Sequence, residues 1–243
     1  MAERSSPRST VGAWPERLAE LAAATSIPRL ARFYASGTSP PATPLSEVPF
    51  VALDLETTGL NPRRCAIVSM GLVPFTLGRI QVAGARYWVV RPRRSLDSES
   101  VLIHRITHDE LDRAPRFSAV LPELLDALAG RVVVVHYRQI ERPFLDQVCR
   151  RWMGEGLEFP LIDTMVIEAW ALKRQRGWLE RLGGRVGLRR RRSLRLAACR
   201  ERYHLPPYAA HHAMTDALAT AELFQAQVAY HLGSGTRVDK VWL

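Results

Sequence analysis

The sequence predicts an α/β fold, with three antiparallel strands followed by alternating helices and strands. Three strand-length apolar runs lie close together, Phe50 to Leu55, Cys65 to Phe75 and Ile80 to Val90. Their connections are too short for crossovers, so the runs form an antiparallel meander. Further on, a four-valine run, Val132 to Val135, sits between two segments of helical periodicity, as a strand buried on both faces does. A chain of 243 residues, 47% of them apolar, holds one substantial core plus an appendage.

In chain order, residues 1–12 read as disordered. Leu18, Leu21, Ala22, Leu30 and Phe33 recur at helical spacing, interrupted by Pro28, which predicts helices over 15–25 and 28–36. The stretch GTSPPATPLSEVP follows as a Pro-rich linker or wrapping arm. An N-terminal helical extension over 1–46, a main domain over 47–232 and a frayed tail over 233–243 are therefore expected. Thr57-Thr58-Gly59 ends the first strand, with Gly59 free to take a positive φ. Leu77-Gly78-Arg79 turns the chain into the third strand, which RPRR at 91–94 closes with charge. Short helical pieces are expected over 98–105 and 107–112. Phe117 to Ala129 carries its apolar residues on one helical stripe and is capped by Gly130. After the valine run come a helix over 138–153, a short strand near Leu161-Ile162 and a helix over 164–176. A Gly/Arg-rich loop from Gly177 to Arg192 leads to a helix from Ser193, a plausible N-cap, to Tyr203. The loop HLPPYAAHH precedes a long Ala-rich helix from Ala213 to Tyr230.

Composition narrows the setting. The net charge is +10, nearly all of it from Arg, with Lys173 and Lys240 the only lysines. Arg grips phosphate in a bidentate way, which suits a nucleic-acid partner; a compositional bias of the source genome accounts for the Arg/Lys ratio but not for the sign. Cys65, Cys149 and Cys199 are odd in number and widely spaced, with no zinc pattern, and point to a reducing, cytoplasmic compartment. No apolar run approaches the roughly 20 residues of a membrane span. The start lacks the apolar core of a secretory signal.

The chemistry concentrates around FVALDLETTGL at 50–60. Alternation on a strand puts Asp54 and Glu56 on one face and Leu53 and Leu55 on the other. Two carboxylates a few ångströms apart repel by roughly 4 kcal/mol at an effective dielectric near 20. A proton, a cation or a metal relieves that, and hard oxygen ligands favour Mg²⁺ or Mn²⁺; a strand end with two solvated acids is the plainer alternative. Glu141 stands in the first turn of a helix behind the valine strand, where open α/β sheets bind ligands; pairing with Arg138 or Arg142 is its alternative. His211 lies just before the last helix and Asp216 about a turn inside it. An acid there needs a partner or a cation, and a His at a helix N-terminus stays neutral and can accept a proton. A satisfied core Asp beside a surface His pair is the alternative. Taken together, these acids suit two divalent ions roughly 4 Å apart at a scissile phosphate.

Three motifs carry a likeness to a known family: DLETTGL at 54–60, VVVVHYRQIERPFL at 132–145 and HHAMTDALATAELF at 211–224, with smaller echoes in WVVRP, HRIT and IDT. Over about 47–231 the chain resembles the DEDDh 3′–5′ exonucleases, which include the proofreading epsilon subunit of bacterial DNA polymerase III, RNase T and oligoribonuclease. The resemblance implies a ribonuclease H-like fold with a five-stranded mixed sheet, and hydrolysis of single-stranded DNA or RNA 3′ ends to 5′-mononucleotides. It implies that Asp54, Glu56 and Asp216 bind one metal ion, with Asp54 shared with a second, and that His211 is the general base. His212 is then a bystander. Thr57, Thr58, Gly59 and Leu60 would hold the terminal nucleotide, with His104 approaching it. The second motif departs from the family's H-N-x-x-F-D, because Glu141 stands where Asp is expected; a weakened nuclease or a pure binding module is the corresponding alternative. The Arg clusters at 91–94 and 189–192 are candidate backbone grips, and the 1–46 extension is a candidate contact for a polymerase or another protein.

Overall fold

The structure, a computed structural model, describes residues 13–92, 106–181 and 192–243. The expected disorder of 1–12, the helical piece over 98–105 and His104 lie outside these residues, as do most of the two Arg clusters.

Five strands form one sheet in the order β3-β2-β1-β4-β5. Strands β1 (Phe50–Thr57), β2 (Ile67–Phe75) and β3 (Arg86–Val89) are antiparallel neighbours. Strand β4 (Val132–Val135) joins β1 in parallel, and β5 (Leu161–Asp163) joins β4 in parallel. This is the mixed sheet expected. In chain order the helices are α1 (Trp14–Ala24), α2 (Pro28–Ala35), α3 (His108–Arg113), α4 (Phe117–Leu128), α5 (Glu141–Met153), α6 (Thr164–Arg181), α7 (Leu196–Arg202) and α8 (Ala213–Gln227). Helix α8 lies across β1 and β2, with Phe224 packed edge-on against Phe50 and Phe75. No helix among the described residues is long and apolar enough to cross a membrane.

Several elements differ from expectation. The third strand is shorter, because Ile80 only bridges Phe75 and Val82–Gly84 is a 3₁₀ turn. Pro74 in β2 has no N–H for a ladder, and its carbonyl instead accepts from the Gln81 amide. Helix α6 runs on to Arg181, through what reads as loop. One Gly costs a helix only about 1 kcal/mol relative to Ala, and Trp178 to Arg181 propagate it. Helix α7 begins at Leu196, and Ser193 is not its cap: its hydroxyl accepts from the Arg195 amide one turn early. Helix α5 begins at Glu141 after a turn in which Tyr137 takes φ +91°. Helix α8 ends at Gln227 and widens into a π turn, Val228–Leu232.

The tail is not frayed. Val238, Trp242 and Leu243 are buried, and the Leu243 amide donates to the Leu161 carbonyl on β5. The linker lies against it: Pro44 bridges Arg237, Leu45 donates to Thr236, and Val238 donates to Thr43. Burial of a large apolar side chain stabilises by roughly 1.5–3 kcal/mol, enough to hold so short a segment. Helices α1 and α2 pack into the same core through Trp14, Leu18, Leu30 and Phe33. The Arg142 guanidinium closes this end, lying over Trp14 and Phe159 and donating to the Phe159 and Leu243 carbonyls.

Candidate active site

Strand β1 aims Asp54 and Glu56 at the face that α8 covers. Opposite Asp54 in the register is Gly71 of β2. A Cβ at Gly71 would stand 2.2 Å from the Ala213 carbonyl and 2.3 Å from the Met214 nitrogen. The start of α8 can therefore press against the strand only because residue 71 has no side chain. That close approach carries Asp216, in the first turn of α8, up to the two strand acids. The sequence motifs do not reveal this glycine's role, since it serves a contact distant along the chain.

Glu56, His211 and Asp216 each offer a ligand atom, and these atoms lie within 4.8 Å of one another. Glu56 and Asp216 are buried, and His211 is exposed. His211 holds a left-handed backbone, φ +68°, and its amide donates to Asp216 Oδ2 at 3.0 Å. Such a conformation is uncommon for a residue other than Gly, and here one carboxylate fixes both the loop and the imidazole it presents.

Asp54 is partly buried two residues before Glu56 on the same strand face, outside the 4.8 Å group. Burial, then the charges of Glu141, Asp216 and Glu56, push its carboxyl well above the usual range. Burial also pushes up Asp216, against the His211 amide and the Tyr208 hydroxyl, which favour its anion. Glu141 is pushed well up by burial, with Asp163 adding to it. Among the described residues no Arg or Lys forms an ion pair with Asp54, Glu141 or Asp216, so the alternative of Glu141 paired with Arg138 or Arg142 is not what is seen. Glu141 Oε2 and Asp216 Oδ1 are buried without a hydrogen-bond partner. Buried carboxylate oxygens with no donor, grouped beside an imidazole, are a donor set suited to a hard divalent cation.

Glu141 is placed by a residue to which sequence reasoning gave no role. Asp163, at the end of β5, accepts from the amides of Tyr137, Arg138 and Met165. It thereby clamps the turn between β4 and α5, including strained Tyr137. His136, which opens the second motif, is turned away from the acids, with its ring nitrogens bonded to Thr164 Oγ1 and the Leu194 carbonyl. His212 is not idle, since it stacks on Tyr87 with centroids 4.6 Å apart.

The loop after β1 flanks the acids. Thr57 Oγ1 donates to the Gly59 carbonyl, and Thr58 pairs with Ala66 through both its amide and its hydroxyl. A Cβ at Gly59 would meet Cys65 Sγ at 2.9 Å. Leu60 is 77% exposed, an apolar side chain held out into solvent beside the charged pocket.

Residues 51–224 match the exonuclease family model RNase_T. The chain is similar to the PolC-type DNA polymerase III of Thermotoga petrophila, 31% identical over 175 residues that cover 72% of this chain and 11% of that protein. It is similar to the DNA polymerase III subunit epsilon of Treponema pallidum, 28% identical over 184 residues that cover 76% and 78% of the two chains. The chain thus spans about a tenth of the PolC-type relatives it matches. Exonuclease X, solved with 5′ overhanging duplex DNA, shares the fold with TM-score 0.54 and 21% identity over 79% of this chain and 98% of that one. The nuclease domain of 3′hExo, a DEDDh family member solved with rAMP, shares it with TM-score 0.55 and 16% identity over 78% and 94%.

Proposed function

Because the chain belongs to the RNase_T exonuclease family, we propose that it is a divalent-metal-dependent 3′–5′ exonuclease of single-stranded nucleic acid, DNA in preference to RNA, that releases 5′-mononucleotides. The observation that carries this is the meeting of Glu56, His211 and Asp216 within 4.8 Å, beside Asp54 and the unpartnered oxygen of Glu141.

Asp54, Glu56, Asp216 and Glu141 would hold two ions, Mg²⁺ or Mn²⁺, with Asp54 shared. When bound, the ions supply positive charge to a phosphoryl group and lower the pKa of water. The protein's own groups do the rest. His211, exposed at the pocket mouth, takes the proton of the attacking water. A bond forms from that water oxygen to phosphorus, and the bond from phosphorus to the 3′ oxygen of the penultimate nucleotide breaks; that oxygen leaves as a 3′ hydroxyl after gaining a proton. Backbone groups of Thr57 to Gly59 seat the terminal nucleotide, and Leu60 covers its base. His104 is proposed to approach the same nucleotide. The extra methylene of Glu141 would still let its carboxylate reach a metal-bound water, and its charge acts on Asp54.

DNA is favoured because the relatives by sequence are named as DNA polymerase III proteins. A polymerase is the proposed protein partner, met through the outer face of α1 and α2. The test is digestion of 3′-labelled single-stranded DNA, duplex DNA and RNA of matched sequence with Mg²⁺ and with Mn²⁺. Mononucleotide release is expected from wild type, fastest on single-stranded DNA, and none from Asp54→Ala. Full activity in that variant rejects the metal assignment; faster digestion of RNA reverses the substrate preference.

A further inference from the structure

At the opposite end of α8 a second pocket opens between α6, α7 and the π turn. Its volume is about 550 Å³, and its walls include Arg174, Arg192, Arg202, Tyr203, Tyr230 and His231. Tyr230 lies fourteen residues beyond Asp216, about 20 Å away at 1.5 Å per residue. This is a separate place from the acids.

The floor is built around a carboxylate whose hydrogen bonds are made. Glu168 is 2% exposed and accepts from Arg202 Nε at 2.7 Å, the Tyr203 hydroxyl at 2.6 Å and Gln227 Nε2 at 3.0 Å. Arg202 neutralises it, so the pocket does not present an uncompensated negative charge. The Tyr203 proton is committed to Glu168, so His231 Nε2, 2.9 Å from the same hydroxyl, must be the donor there. Its Nδ1 is then an acceptor while the ring is neutral, the state that burial favours.

The walls are cationic and aromatic. Arg174 and Arg192 are exposed, and neither has a carboxylate partner among the described residues. Arg192 reaches Gln175 Oε1 and Arg174 lies over Trp170, interactions that leave their guanidinium charges uncompensated. Tyr230 is 67% exposed and is held edge-on by Tyr203, with centroids 5.5 Å apart. An exposed ring fixed from the side, next to free guanidinium forks, is the pairing by which proteins hold single strands: bases stack and phosphates are gripped. The volume falls in the range of small-ligand sites.

We propose that this pocket is a distal subsite for one nucleotide unit of single-stranded nucleic acid, with the phosphate at Arg174 and Arg192 and the base on Tyr230. It rests on the nuclease reading for the identity of the strand, which would run from the acidic site to this anchor over several nucleotides. Substrates too short to span the two sites do not use it.

The experiment is fluorescence anisotropy of a labelled long oligothymidylate in EDTA, titrated with salt, for wild type, the Arg174→Glu/Arg192→Glu double variant and Tyr230→Ala. All three positions are exposed, and circular dichroism checks that the fold is kept. The double variant should bind at least about ten-fold more weakly, with a salt slope shallower by about 0.7 for each phosphate no longer gripped. Tyr230→Ala should weaken binding about ten-fold. Cleavage of a dinucleotide should be unchanged in both. Unchanged oligonucleotide affinity and salt slope in the double variant overturn the proposal. So does weakened binding of thymidine 5′-monophosphate with oligonucleotide affinity unchanged, which makes the pocket a product site. Wild type that shows the variant-sensitive binding yet cuts nothing with Mg²⁺ sinks the nuclease reading and leaves the pocket standing.

Discussion

The two ends of α8 each bury carboxylates, and they treat them in opposite ways. Glu168 is surrounded by donors, from Arg202, Tyr203 and Gln227. At the other end Asp54, Glu141 and Asp216 crowd together, with two of their oxygens lacking any partner. A buried charge with its hydrogen bonds made is architecture, whereas buried charges left in mutual repulsion are stable only as a place for something else. Burial by itself does not mark a functional acid; unmet bonding capacity does.

Replacing one carboxylate at each end should break or sharpen this contrast. The largest effect is expected from Asp54→Asn, which should lower mononucleotide release on the order of 10³-fold, comparable to removing one electrostatic interaction with the transition state. It should also raise the melting temperature in EDTA, with a gain of about 1 kcal/mol from relieved repulsion. A fall in both properties would erase the distinction. Glu168→Ala should do the reverse. It strands Arg202 and Gln227 and is expected to cost about 3 kcal/mol in denaturant unfolding, while the folded fraction keeps its dinucleotide turnover.

Gly71→Ala tests the approach of α8 to β2. The added methyl group collides with backbone, so α8 must shift, at about 1–3 kcal/mol. Turnover should fall more than stability does, which parallel activity and melting measurements separate. The pH response of the metal-free protein follows from the raised carboxyls of Asp54, Glu141 and Asp216. An acid whose folded pKa is raised adds stability that is complete below its unfolded pKa and is lost as pH climbs through the folded one. In EDTA the melting temperature should therefore fall as pH rises above the ordinary carboxylate range, and Mg²⁺ should restore more of it at the higher pH. A flat profile would mean that these acids are not strained when empty. The smallest effect is expected from Glu141→Asp, a few-fold change in turnover with Mn²⁺, read by single-turnover kinetics.

Much of this was legible in the chain because it was local. Alternation in FVALDLET gives the face of Asp54 and Glu56, and the valine run of β4 could be placed to the residue. The spacing from His211 to Asp216 put both at one helix start. What was not legible depends on distant partners. Gly71 matters only because Ala213 lies against it, and Asp163 because the Tyr137 turn needs its oxygens. The tail reads as polar and terminal, yet Trp242 and Leu243 are buried beside β5 and the linker. The shortened β3 follows from Pro74 on the neighbouring strand, invisible to a window centred on residues 80–90.

Glu141 and Arg142 are adjacent, and they face different worlds. One carboxylate leans on Asp54, while the next guanidinium is wedged against Trp14 and the Leu243 carbonyl. A single helical turn thus ties α1 and residue 243 to the cluster of acids. A perturbation at α1 or at residues 242–243 is therefore expected to reach the Glu141 turn through Arg142.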